Sequence, residues 1–210
     1  MAIKQVIYFL LLLTLFFFIG LMLNLSHPYL SGRIDVAFLL TKQGIIHIKH
    51  WRYSFYIHVF LSSISLLAGF TQFSKFILKR AKKFHRAMGY LYVIDVLLLA
   101  GPSALIMAFY ANGNLAAKLS FVVLAVFWLS FTLLALIRAK QKQFKSHENW
   151  MIRSYALTLS AISLRLLAFF LPKFYHLNGI DEYTLIAWLS WTINLMLAEI
   201  IIFNKRKLIF

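Results

Sequence analysis

Residues 118–137 read KLSFVVLAVFWLSFTLLALI, twenty residues in which one lysine is the only charged side chain. A helix needs about 20 mostly apolar residues to cross the hydrocarbon core of a bilayer. This stretch therefore predicts a membrane-spanning helix. Five further segments have similar length and character, so the six predicted spans are 4–24, 52–73, 87–110, 118–137, 150–171 and 183–203.

The composition of the whole chain agrees with a membrane protein. Of 210 residues, 62% are hydrophobic and 13% charged, whereas soluble domains average about 45–50% and about 25%. Disorder is excluded by the many Phe, Leu and Ile residues. The absence of cysteine excludes disulfides, iron–sulfur clusters and c-type haem attachment. A net charge of +16 invites nucleic-acid binding, but the basic residues lie between apolar runs rather than on one polar face.

The distribution of Lys and Arg predicts the orientation. With six spans, fifteen of these residues fall on the side of the two termini, and six fall on the other side. Cytoplasmic loops carry the excess of positive charge. We therefore expect an all-α integral membrane protein, a single polytopic domain over residues 1–210. It is a six-transmembrane helix bundle with N and C termini cytoplasmic.

Three local features add detail to the predicted six-span topology. The loop 25–51 lies outside the membrane, and its residues 36–40 suit either a short strand or an interfacial helix. In the third span, Pro102 follows Gly101, and a proline without an N–H group should bend the helix. No small-residue cleavage site follows the first apolar run, so we expect it to remain as a span.

Polar residues inside the spans are the informative positions, because hydrocarbon gives them no partner. In the second span His58, Ser62, Ser65 and Gln72 share one helical face, and in the fifth span His147, Ser154, Thr158 and Arg165 do so. The third span contains Tyr92, Asp95 and Ser103, and the sixth contains Glu199. We expect spans two, three, five and six to form the core, with spans one and four more lipid-facing.

Depth separates the candidate site residues into two groups. His58 and Arg165 lie toward the outer surface at similar depth, and we expect them to face one interior cavity. The inner group contains His85, His147, Arg86, Arg153, Asp95 and Glu199. Simpler roles compete with a site: His85 and His147 can anchor helix ends at the headgroups, His58 can make one structural hydrogen bond, and Arg165 can extend to the interface.

Four stretches of the chain resemble a known family. They are WRYSFYIH (51–58), HRAMGYLY (85–92), HENWMIRSYALT (147–158, running on to Leu164 and Arg165) and WLSWTINLMLAE (188–199). In order and spacing they are similar to a bacterial family of predicted polytopic membrane proteins, domain of unknown function 2306. The resemblance implies a multi-pass protein of the bacterial cytoplasmic (inner) membrane, and it directs interest to His58, His85, His147 and Arg165.

A first hypothesis for function is a haem- or quinone-linked redox protein. Haem b needs two neutral imidazoles at matching depth, and His85 and His147 match. Arg86 and Arg153 would then bind its propionates. His58 would need a loop histidine as partner (His47, His50 or His176). As a variant, His85 and His147 would bind a metal ion together with Glu148. We expect the imidazoles of His85 and His147 within about 10 Å of each other.

Two other classes remain open. A proton-linked or small-molecule carrier would use His58, Arg165, Asp95 and Glu199 as a polar route. An accessory subunit of a larger membrane complex would dock through its featureless first and fourth spans. Hydrolase and transferase chemistry lack support, because the chain has no nucleophile elbow, phosphate-binding glycine loop or HExxH motif. The expected partners are the lipid bilayer and other membrane subunits, with no nucleic acid.

Overall fold

The computed structural model describes residues 2–175 and 178–207, and within these residues it is helical with no strand. In chain order the α-helices are α1 (Ala2–Ser26), α2 (Lys49–Thr71), α3 (Lys75–Arg80), α4 (Lys82–Ile94), α5 (Gly101–Phe109), α6 (Leu115–Lys140), α7 (Phe144–Thr158), α8 (Ser160–Phe174) and α9 (Gly179–Lys207). A π-helical turn (Asp95–Ala100) joins α4 to α5, and α7 runs directly into α8.

Five stretches are long and apolar enough to cross a membrane. They are α2, α4–α5 (Lys82–Phe109), α6, α7–α8 (Phe144–Phe174) and α9 (Gly179–Lys205). They correspond to the second to sixth predicted spans. Helix α1 covers the first predicted span with 25 helical residues, and its passage across the membrane stays a prediction, as does the cytoplasmic position of both termini.

The loop between α1 and α2 contains neither a strand nor an α-helix but two short 3₁₀ helices, His27–Ser31 and Ala37–Lys42. We call this end of the bundle outer and the opposite end inner, after the predicted topology. Leu39 is fully buried and packs with Tyr29, Trp51 and Phe55 at the outer end of the bundle. Because two aromatic side chains at the start of α2 and one in the loop form this cluster, the loop covers the outer end of α2 rather than extending away from it.

Helix α6 is the least buried of the five candidate spans, as predicted for a more lipid-facing fourth span, but one of its faces is buried in the bundle. It packs against α5, α7 and α9, and Trp128 and Thr132 are buried in the centre of the bundle. Its buried face carries small residues, which permit close approach between membrane helices. They recur at helical spacing: Ala117, Ser120, Ala125 and Ala135.

Helix α1 agrees better with the prediction for its span. Ile19 and Met22 pack against Leu66 of α2 and Ile162 of α8. Large apolar side chains on its other faces are exposed, among them Leu13, Phe16, Phe17 and Leu23. Among the described side chains of α1, one face contacts the bundle, and the exposed apolar side chains suit the predicted contact with lipid.

Candidate functional site

Polar contacts follow the whole interface between α2 and the α4–α5 span. We call this line of contacts the polar seam. Its four contacts are His50 Nε2 with Tyr110 Oη (2.9 Å), His58 Nδ1 with Ala100 O (3.0 Å), Ser65 Oγ with Asp95 Oδ2, and Gln72 Nε2 with His85 O (3.2 Å). From His50 to Gln72 the seam covers about 33 Å of helix at 1.5 Å per residue, comparable with the about 30 Å hydrocarbon core.

The sequence predicted the α2 face of this seam. His58, Ser65 and Gln72 share one helical face, as their spacing indicated, and each contacts the neighbouring span. Two of the partners are backbone carbonyl groups, which no residue pattern identifies. Antiparallel packing explains the order of the contacts, because each step down α2 meets a residue earlier in the following span.

The π turn determines which carbonyl the seam uses. The N–H group of Gly101 bonds to Val96 O, five residues back. A Cβ atom at Gly101 would lie 2.2 Å from Val96 O, so glycine alone fits there. Ala100 O accepts hydrogen bonds from Ser103 Oγ (2.9 Å) and from His58. The expected irregularity at Gly101 and Pro102 is therefore a π turn whose final carbonyl receives side-chain donors.

A carbonyl oxygen can only accept, so this contact also determines the tautomer of His58. Nδ1 of His58 carries the hydrogen and donates it to Ala100 O. Nε2 is then the unprotonated acceptor nitrogen of the neutral ring. The structural hydrogen bond considered for His58 is therefore present, and one ring nitrogen remains for a second contact.

Asp95 is the buried acidic residue at the inner half of the seam, with 2% of its surface exposed. Ser65 Oγ donates a hydrogen bond to its Oδ2 atom. Its Oδ1 atom is buried and has no hydrogen-bond partner in the described part of the chain. A carboxylate here would carry its charge in low dielectric with one bond, which is energetically unfavourable.

A cluster of hydroxyl groups lies behind the seam in the bundle centre. Tyr92 Oη contacts Ser154 Oγ (2.7 Å) and Thr158 Oγ1 (2.8 Å). Trp128 Nε1 donates to Thr158 Oγ1 (3.0 Å), and Thr132 Oγ1 contacts Ser154 Oγ (2.6 Å). The polar residues of α7 were predicted to face inward, and their partners on α6 were missed because that span was taken as nearly featureless and more lipid-facing.

The outer pair, His58 and Arg165, does not occupy one enclosed cavity as predicted. Arg165 is exposed, and its Nη1 donates to Ala161 O of the preceding turn (2.8 Å). It therefore leans back toward the bundle middle instead of extending outward. Its charge still lies close enough to act on His58 and on Tyr29, so Arg165 borders the outer part of the seam from the surface.

The inner pair, His85 and His147, lies close enough for the charge of one ring to act on the other. His147 Nδ1 donates to Ala135 O of α6 (2.8 Å), so Nε2 is the acceptor nitrogen whenever the ring is neutral. His85 is half-buried, and its Nδ1 atom is buried with no partner in residues 2–175 or 178–207. The separation of about 10 Å or less stays a prediction.

Two carboxylates at the inner end form ion pairs. Arg153 forms two hydrogen bonds with Glu199 (2.5 and 2.8 Å), and its guanidinium lies over the Trp150 ring. Glu148 pairs with Lys205 (2.6 Å). Arg86 is exposed at the membrane edge.

The ion pairs involve Glu148 and Arg153, which were predicted to bind a metal ion and a haem propionate. No three His, Asp or Glu side chains of the described residues gather as a metal site, so His85, His147 and Glu148 do not form the predicted cluster. Arg153 already has a carboxylate partner, which leaves it less suited to a haem propionate. His176, one of the loop histidines considered for His58, lies outside the described residues.

Two open depressions on the surface of the described residues do not reach the seam. One of about 490 Å³ lies at the start of α7, lined by Gln143, Phe144, Lys145, Ser146 and Asn149. The other, of about 430 Å³, lies on α9 and is lined by Trp191, Thr192, Leu195, Met196, Glu199 and Ile200. A planar haem between His85 and His147 would need a slot that neither depression supplies.

Lys42 holds the loop between α1 and α2 against the rest of the bundle. Its Nζ atom donates to Tyr110 O (2.6 Å) and to Asn112 Oδ1 (2.5 Å), and 4% of the residue is exposed. Burial, and to a lesser degree the charge of Lys118, lowers the pKa of Lys42 to about 8. This lysine was predicted only as part of the outer charge count, because a buried lysine in a loop has no sequence signature.

Comparison with known proteins identifies a family. Residues 55–202 match the model of a family described as predicted membrane protein (DUF2306). No curated protein and no solved structure matches the chain. The matched segment covers more than half of the chain and includes most of the seam, the hydroxyl cluster and the inner pair. The chain therefore belongs to the DUF2306 family of predicted membrane proteins, as its sequence motifs indicated.

Proposed function

We propose that this protein moves protons along the polar seam, as a proton-linked carrier of the bacterial cytoplasmic membrane. The observation that carries the proposal is Asp95. It is a carboxyl group buried within the seam, bonded through one oxygen to Ser65 and without a partner for the other among the described atoms. Ionisable residues inside a bilayer are costly, and they mark proton or substrate routes.

The proposal requires a single reversible proton transfer at Asp95. Its Oδ1 atom takes up a proton from one side and becomes neutral, and releases the proton to the other side to regenerate the carboxylate. No other bond changes. His58 lies seven residues from Ser65 along α2, about 10 Å away by helical rise. This exceeds one hydrogen bond, so transfer between them needs water molecules or movement of the π turn, a feature frequent at functional sites.

Orientation follows from the charge distribution. The end of the seam at Gln72 and His85 adjoins the connections richest in Lys and Arg. On the positive-inside rule this end is cytoplasmic. The end of the seam at His50 and Tyr110 then faces outward. It lies beneath the loop between α1 and α2, which Lys42 bonds to Tyr110 O.

Proton flux into liposomes tests the proposal. The purified protein is reconstituted with a pH-sensitive dye inside, and a potassium gradient with valinomycin drives protons inward. We expect acidification above that of protein-free liposomes, and we expect Asp95→Asn to abolish it. Asp181→Asn is the matched control, since Asp181 is exposed at the start of α9, away from the seam. Absence of flux with the wild-type protein, or equal loss in both variants, overturns the proposal.

A second candidate is haem b bound between His85 and His147. The observation that favours it is the bond from His147 Nδ1 to Ala135 O, because ligating histidines commonly donate their other nitrogen to a backbone carbonyl. The absorption spectrum of the purified protein tests it. A Soret band that shifts on reduction with dithionite, and is lost in His147→Gln, would favour haem. A colourless preparation would reject it. The accessory-subunit role has no contact among the described residues that favours it over lipid.

A further inference from the structure

The connection between α2 and α4 contains a short helix, α3, with an unusual surface. Ser74 caps its start by accepting a hydrogen bond from Ile77 N (3.3 Å). Phe76 and Leu78 of α3 and Phe84 of α4 are exposed by 66%, 47% and 48%. Two spans end here, so the medium beside these side chains is the membrane boundary. Helices that present apolar side chains at this depth lie in the interface.

The same surface is strongly basic. Lys79, Arg80, Lys82, Lys83 and Arg86 are all exposed. The sequence contains no Asp or Glu from residue 73 to residue 94, so no acidic neighbour in this segment balances them. The guanidinium of Arg80 lies 5.4 Å from the centre of the Phe76 ring. Residues 76–86 therefore expose apolar and basic side chains close together along the chain.

We propose that α3 and the first turn of α4 bind the headgroups of anionic phospholipids in the cytoplasmic leaflet. Phe76 and Phe84 enter the acyl boundary, and the lysines meet phosphate groups. Charge complementarity selects anionic over zwitterionic lipid, since each basic residue near an anionic surface gains binding energy. The other basic connection, residues 138–149, also exposes lysines, but it has one exposed large apolar side chain, Phe144, instead of three. It also contains an acidic residue, Glu148, and its Arg138 bonds Gln141 and Gln143.

This surface adjoins the inner end of the polar seam through one hydrogen bond. Gln72 Nε2 donates to His85 O, one residue after the exposed Phe84. Lipid bound at α3 would therefore lie beside the place where the seam meets the cytoplasmic surface. The inference concerns lipid recognition and stands whether or not the seam moves protons.

Thermal unfolding in lipid nanodiscs tests the inference. The protein is compared in discs of phosphatidylcholine alone and of phosphatidylcholine mixed with phosphatidylglycerol. We expect the wild-type Tm to be at least about 5 °C higher in the anionic discs. The triple variant Lys79→Gln, Lys82→Gln and Lys83→Gln should lose at least half of this increase. Lys140→Gln, Lys142→Gln and Lys145→Gln, in the other basic connection, should keep it.

Further arms separate the alternatives. Inorganic phosphate added to phosphatidylcholine discs should not raise the Tm, because the acyl chains contribute to the site. Replacing the same three lysines with arginine should restore the increase, which distinguishes lost charge from a damaged fold. Equal losses in the two triple variants would indicate attraction to net charge alone and would overturn the inference. No increase for the wild-type protein would overturn it as well.

Discussion

Ser65 donates a hydrogen bond to one carboxylate oxygen of Asp95 and leaves the other oxygen buried without a partner among the described residues. The two oxygens of one carboxyl group therefore have different environments. Oδ2 is held by the neighbouring helix, and Oδ1 is available to take up or release a proton. The pair also joins α2 to the π turn, so its chemistry and the helix packing depend on the same contact.

Replacing Ser65 with alanine should destabilise the protein. The variant removes the side-chain donor to Asp95 Oδ2, while Oδ1 already has no hydrogen-bond partner among the described residues. Interhelical hydrogen bonds in membranes contribute about 0.6 kcal/mol on average and up to about 1.7 kcal/mol, so we expect a loss of about 1 kcal/mol. The free energy of unfolding in mixed micelles checks this. Ser62→Ala, at a half-buried serine on the same helical face, should cost less, and equal losses would contradict the assignment.

Replacing Tyr92 with phenylalanine tests the hydroxyl cluster. The Oη atom of Tyr92 contacts Ser154 and Thr158, so its removal leaves two buried hydroxyl groups with fewer partners. We expect a loss of about 1–2 kcal/mol in the free energy of unfolding. Tyr155→Phe is the control, since Tyr155 Oη donates only to Leu66 O (3.0 Å), a carbonyl within helix α2. A larger loss in the free energy of unfolding for Tyr155→Phe than for Tyr92→Phe would contradict this prediction.

The spans could be predicted from the sequence because a bilayer imposes a length and a polarity on any helix that crosses it. The α2 face of the seam could be predicted for a similar reason. Polar side chains spaced at 58, 65 and 72 share one face whatever they contact. Their partners could not be predicted, because Ala100 O and His85 O are backbone atoms, and the π turn presents the former to His58.

The errors have a common physical origin. Helix α6 contains few ionisable residues, and an apolar surface suits lipid and protein neighbours equally well. Its small residues at helical spacing were the available signal for close packing. Arg165 was expected inside the bundle because charges avoid lipid, yet its long side chain bonds to its own helix while remaining exposed.

Replacing Gly69 with alanine should disturb the packing between α2 and α7. A Cβ atom at Gly69 would lie 2.5 and 2.6 Å from ring atoms of Tyr155 and 3.0 Å from the Tyr92 ring. Both rings are buried, so they have little room to move, and overpacking costs about 1–3 kcal/mol. Gly20→Ala in α1 meets no atom within 4 Å and should be neutral or slightly stabilising. Comparable melting temperatures for the two variants would contradict the packing described.

The topology can be tested with single introduced cysteines, because the chain has none of its own. Lys118→Cys lies at the outer end of α6, and Lys142→Cys lies in the connection from α6 to α7. From the excess of Lys and Arg around the second position, a membrane-impermeant maleimide should label the Lys118→Cys variant in intact cells. It should label the Lys142→Cys variant only after the membrane is permeabilised. The reverse pattern would invert the proposed orientation of the seam.

Stability should depend on pH through Lys42. Burial lowers the pKa of Lys42 to about 8 in the folded protein, whereas the unfolded chain has a lysine pKa of about 10.4. Between these values the unfolded state binds more protons, so the free energy of unfolding should rise with pH from about 8 to about 10. Solvent at the loop edge screens the charge, and we expect a rise of about 1 kcal/mol.

Denaturation at pH 7, 8, 9 and 10 measures this dependence, with Lys42→Met as the comparison. The variant removes the titrating group and retains a long apolar side chain, so the rise between pH 8 and pH 10 should diminish. It also removes the hydrogen bonds to Tyr110 O and Asn112 Oδ1, so it should be less stable than the wild-type protein at pH 10, where the neutral amine still donates. If the free energy of unfolding changed with pH in parallel for the two proteins, Lys42 would have an ordinary pKa. Its charge would then not oppose packing of the loop against the bundle.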